Sequence, residues 1–111
     1  MGINLDIAEL IRWLTTKSVA EMDEMLDSRD QGPIDAEWGS TYAEVGFDVR
    51  LPNAKEVFVA ISNATAQHEI TSYIANDLDL LTTADSRGFQ NEFTRFLADS
   101  YSRGRFPYQM Q

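Results

Sequence analysis

The chain carries one imidazole, His68, and no cysteine. Disulfides, thiol nucleophiles and thiolate metal sites are therefore excluded. A histidine acting as a general base needs a nucleophile and an orienting acid beside it. His68 lies in Thr65-Ala66-Gln67-His68-Glu69, where the first turn of an exposed helix explains it, and no serine has the glycine-flanked setting of a nucleophile. The glycines at 2, 32, 39, 46, 88 and 104 are scattered, so none forms a phosphate-cradling loop. Asp23 and Asp27 share a helical face with Glu24 beside them, but a metal usually draws further ligands from a second element. Asp77-x-Asp79, followed by Asp85, lacks the glycine and terminal glutamate of a calcium loop. The expectation is a protein that is not an enzyme, with no cofactor and no metal.

What the residue types do offer is charge. The chain holds 18 acidic and 9 basic side chains, a formal net charge of −9. They are unevenly placed. Residues 1–48 contain eleven acids against three bases, and residues 49–111 seven against six. Such a field repels phosphate backbones and anionic lipid surfaces, which disfavours direct nucleic-acid binding and membrane adhesion. It suits a basic protein partner, because acid on one side speeds encounter and selects the sign of the partner. The candidate contacts are Glu21, Asp23, Glu24, Asp27 and Asp30, with Asp35, Glu37, Trp38, Glu44 and Asp48 as a second patch. The competing explanation is a solvated acidic surface that keeps a small protein soluble. Arg103 and Arg105 beside Phe106 and Tyr108 also have interface composition, but a helix C-terminus accounts for them.

The elements that must position these residues follow from the apolar spacing. Ile3, Ile7, Leu10, Ile11 and Leu14 mark a first helix, with Asn4 as its cap. Ser18-Val19-Ala20-Glu21 is a capping-box pattern, so a second helix turns Val19, Met22, Met25 and Leu26 inward and its acids outward. Gly32-Pro33 ends it, and residues 34–40 read as an irregular link. From Thr41 to Leu51 apolar and polar residues alternate, which predicts a strand with Phe47 on its buried face. Pro52 to Lys55 is a turn, and Glu56 to Ile61 a second strand, making an antiparallel hairpin. A third helix is expected from about 65 to 81, although residues 77–83 could instead hold a third short strand. Phe89, Phe93, Phe96, Leu97 and Tyr101 mark a last helix, stopped by Gly104 and Pro107.

The predicted fold is thus α+β, a single domain over 1–111 in the order α-α-β-β-α-α, with the hairpin packed on helices. No apolar run is long enough to span a bilayer, and MGINLDIAEL lacks the features of a secretory signal, so a cytoplasmic protein is expected. By composition the chain is similar to bacterial immunity proteins and phage-encoded inhibitors of nucleic-acid enzymes. That analogy implies inhibition by occlusion, with carboxylates standing in for substrate phosphates on a nuclease toxin or another nucleic-acid enzyme. The alternative is an assembly subunit that offers its hairpin edge to another sheet.

Overall fold

The computed structural model describes residues 5–65 and 67–109. Among these, six helices and no strand occur: α1 Ile7–Thr15, α2 Val19–Gln31, α3 Pro33–Val45, α4 Ala54–Ala64, α5 His68–Ser86 and α6 Glu92–Ser102. Buried apolar side chains from all six, joined by Phe106, form one core cluster.

Several expected boundaries stand. Ser18 accepts from the Glu21 backbone at 3.1 Å, and Glu21 returns a bond to the Ser18 N–H at 3.0 Å, the reciprocal cap of α2. Phe93, Leu97 and Tyr101 are buried along α6. The cap proposed at Asn4 lies outside the described residues. Asp6 caps α1, accepting from the Glu9 N–H at 3.0 Å.

The α+β expectation is wrong, and its hairpin does not exist. Residues 34–45, read as a link and the start of a strand, form α3. Pro33 has two roles: it cannot continue α2, yet at N1 of α3 its missing N–H is no loss. Ile34, Trp38, Thr41 and Val45 are the inward residues, at steps 0, 4, 7 and 11, a helical stripe overlaid on the alternation. Gly46, at φ +76, takes a left-handed conformation that ends the helix.

The second expected strand is α4. Val57 and Ile61 are buried four apart, whereas Val59, which a strand would turn the same way, is 50% exposed. The 77–83 segment is helix throughout. With no strand among the described residues, an assembly role through a hairpin edge has no edge to act with.

Part of the strand signal has a real origin. The α3–α4 connection is held by polar side chains of α5 and not by a neighbouring strand. Thr83 accepts from the Val49 N–H at 2.9 Å and donates to the Val49 carbonyl at 3.2 Å. Asp79 accepts from the Leu51 N–H at 3.4 Å. The backbone groups that a sheet would have paired are thereby satisfied.

Candidate functional site

The acidic surface is oriented from inside the molecule. Asp77, on α5, is fully buried. Its Oδ2 accepts from Arg29 Nη1 at 2.6 Å and from the Tyr101 hydroxyl at 2.5 Å. Its Oδ1 accepts from Arg29 Nη2 and, at 3.0 Å, from the Trp38 indole N–H. Four donors thus fill the four lone-pair positions of one carboxylate. A buried ion pair is tolerated when its remaining hydrogen-bond capacity is met in this way.

The Arg29 guanidinium also lies 5.2 Å from the ring centroids of both Tyr73 and Phe106. Burial alone would depress its pKa, but the Asp77 charge and hydrogen bonds more than offset this and push it up. Tyr101 is raised well above the ordinary phenol value, first by burial and then by the Asp77 charge. This network joins α2, α3, α5 and α6, so it fixes which faces of α2 and α3 meet solvent.

The consequence for charge is direct. In residues 18–48 the only basic side chain is Arg29, and it is 5% exposed. Glu21, Asp23, Glu24, Asp27, Asp30, Asp35, Glu37, Glu44 and Asp48 are all exposed. Folding removes the region's own cation from the surface and leaves its nine carboxylates there.

Some of the nine have intramolecular duties. Glu21 closes the α2 cap. Asp23 accepts from the Gln67 amide. Asp30 accepts from the Tyr73 hydroxyl at 2.7 Å, a bond that helps push the Tyr73 phenol up to about 12. Asp48 pairs with Arg87 at 3.0 Å and is held below the usual carboxylate range by that contact. Glu24, Asp27, Asp35, Glu37 and Glu44 have no ion-pair partner among the described residues.

An open cleft of about 250 Å³ is lined by Arg29, Asp35, Trp38, Tyr73 and Asn76. Asp30 borders it through its bond to Tyr73. Beside the cleft Trp38 begins an aromatic cluster: its ring centroid is 5.7 Å from those of Tyr42 and Phe47, which are 5.0 Å from each other. Tyr42 is 46% and Phe47 36% exposed.

The alternating pattern put Tyr42 on the wet face of a strand and Phe47 on its buried face, so the exposed pairing of the two rings was missed. Phe47, expected in the core, is a correction with a physical cause: it follows the helix-ending Gly46 and packs on the outside of α3. The buried role of Asp77 was missed too. The available signal was its place in the stripe Ile70, Ile74, Asp77, Leu78 and Leu81, where a charge demands a partner.

Elsewhere the chemistry is sparse. His68 Nδ1 lies 3.5 Å from the Ser62 hydroxyl in an exposed setting with no orienting acid bonded to it. No group of three or more metal-ligating side chains converges among the described residues. No helix there is long and apolar enough to cross a membrane.

These features define an acidic helical protein whose outer face has the composition of a protein interface, aromatic rings set among charges. The family of immunity protein PIM1 matches residues 6–108, and the chain belongs to that family. Nothing among curated proteins or solved structures matches it. Immunity proteins act by binding a partner such as a toxin, and such proteins are typically not enzymes.

Proposed function

We propose that this immunity protein neutralises a basic nuclease toxin by occlusion, through the carboxylates of α2 and α3. The observation that carries this reading is the burial of Arg29, which leaves nine exposed acids in residues 18–48 with no exposed base among them. Clustered carboxylates attract the Lys and Arg side chains that a nuclease uses to hold phosphates, and charge-assisted bonds to them are stronger than neutral ones. Bound there, the protein covers the groove that nucleic acid would enter. The contacts are Glu21, Asp23, Glu24, Asp27, Asp30, Asp35, Glu37, Trp38, Glu44 and Asp48. Glu24, Asp27, Asp35, Glu37 and Glu44 are the readiest, because no internal partner must be given up.

The test uses the protein encoded beside this gene, assayed for degradation of plasmid DNA and of RNA with and without the full chain. Wild type is expected to suppress cleavage. Reversing Asp23, Glu24 and Asp27 together to Lys should weaken inhibition about tenfold or more, chiefly through slower association at low salt. Reversing Glu56, Glu69 and Glu92, which are exposed outside this region, should change it by less than about twofold. Equal inhibition by both triple variants, indifferent to salt, would remove the acidic face from the mechanism. A neutralised partner without nuclease activity would remove the nuclease assignment.

A further inference from the structure

Four large apolar or aromatic side chains are exposed among the described residues: Val19, Tyr42, Phe47 and Val59. Two of them, Tyr42 and Phe47, touch each other and rest on Trp38. Trp38 cannot turn away to cover them, because its indole N–H is committed to Asp77. Phe47 is also restrained from below, since Arg87 bonds both the Val45 carbonyl at 3.0 Å and the carboxylate of Asp48. The rings therefore form a preorganised, partly exposed platform in which Tyr42 and Phe47 meet edge to face at 69°.

Acid flanks the platform. Asp35, Trp38 and Tyr42 fall at steps 0, 3 and 7 along one side of α3, and Asp48, paired with Arg87, adjoins Phe47 in the chain. Aromatic faces beside carboxylates favour a cation with a planar, weakly hydrated head, which selects arginine over lysine.

We propose that Trp38, Tyr42 and Phe47 form an arginine-stacking anchor, in which a guanidinium of the basic partner lies on one ring of the edge-to-face Tyr42–Phe47 pair, with Asp35 on the same side of α3 as counter-charge. This deepens, and rests on, the reading of α2 and α3 as the docking face. It assigns the short-range selectivity to α3 and leaves long-range steering to the whole acidic surface. Anchors of this kind, aromatic and preorganised, carry most of the affinity in protein interfaces, while rim charges mainly set the rate of encounter.

The experiment titrates the full-length protein with three capped peptides, tetra-arginine, tetra-lysine and tetra-citrulline, followed by amide and indole chemical shifts. Tetra-arginine is expected to shift the Trp38 indole and the Tyr42 and Phe47 amides. It should bind about two- to fivefold tighter than tetra-lysine, the size of an exposed cation–π contact. Tetra-citrulline, flat but uncharged, should not bind. Tyr42→Ala and Phe47→Leu should each bring arginine binding down to the lysine level, whereas Val59→Ala should not. Both substituted residues are exposed, so the variants should stay folded, which an unchanged melting temperature verifies. Equal arginine and lysine affinities, with shifts confined to Glu24 and Asp27 on α2, would overturn the anchor and leave the acidic docking face standing. Absence of any shift on α2 and α3 would overturn both.

Discussion

Asp77 shows how one buried charge can organise an exposed surface. Its carboxylate is the meeting point of Arg29, Trp38 and Tyr101 from three other helices. Asp77→Ala would leave the Arg29 guanidinium buried without its counter-ion, an expected loss of about 3–5 kcal/mol in urea unfolding. The double variant Arg29→Met with Asp77→Leu should recover much of that loss, because neither charge is then stranded. The phenols beside this network predict a pH dependence. Tyr73 is pushed up to about 12 by its bond to Asp30 and by burial, and Tyr101 is raised by burial and the Asp77 charge. A phenol with a folded value above the unfolded value of about 10 contributes stability below that pH and loses it as pH rises through the folded value. The urea midpoint should therefore fall between about pH 10 and 12, and Tyr73→Phe should shrink the fall. Asp79 runs the other way for a carboxylate: burial raises it, ahead of the opposing bond from Leu51 and charge of Arg50. Its stability contribution is greatest when protonated and declines as pH rises through the raised value. Asp79→Asn, which can keep an acceptor for the Leu51 N–H, should leave stability at pH 7 equal or higher.

The helices α3 and α4 illustrate how two periodicities can share one stretch of chain. Val57, Val59 and Ile61 alternate as in a strand, yet only Val57 and Ile61 are buried. Val57→Ala should cost about 1–3 kcal/mol and Val59→Ala about 0.5 kcal/mol or less, whereas a strand would make the two losses similar. Thermal unfolding of the two variants side by side is the measurement. β-branched and aromatic residues favour strands only weakly, and tertiary packing overrides that preference. The stop of α6 is more stringent. Gly104 has φ +69, and a Cβ there would lie 2.5 Å from Glu9 Cγ and 2.8 Å from the Leu10 nitrogen. Gly104→Ala combines left-handed strain with a clash against α1, so a loss of about 2 kcal/mol or more is expected in the same assay.

Across the molecule, the acidic face opposes the fold that displays it. Unpaired like charges on adjacent α2 and α3 repel, and salt shortens the reach of that repulsion to about 3 Å at 1 M. The melting temperature should rise with sodium chloride, and neutralising Glu24, Asp27, Glu37 and Glu44 to their amides should both raise it at low salt and flatten the dependence. The partner complex should respond oppositely and weaken as salt increases. A surface kept against its own electrostatic cost is consistent with binding, since solubility alone does not require the acids to be segregated.

The sequence alone determined the charge asymmetry, the absence of thiol chemistry, the α2 capping box and most of the apolar stripes of α1, α2 and α6, because each depends on composition or on residues within a few positions. The exceptions are Val19, expected inward on α2 but 45% exposed, and Phe89, which precedes α6. It also carried the expectation of an immunity-type, partner-binding protein, with which the family membership agrees. It did not decide between helix and strand for 41–61, where Thr41, Val45, Val57 and Ile61 satisfy both spacings until a partner surface selects one. Nor could local pattern reveal that Arg29 finds Asp77 across 48 residues, or that Trp38, Tyr42 and Phe47 gather on the outside. Those are long-range pairings. They exist only once the helices share one core, and that packing buries Arg29 while its acidic neighbours stay exposed.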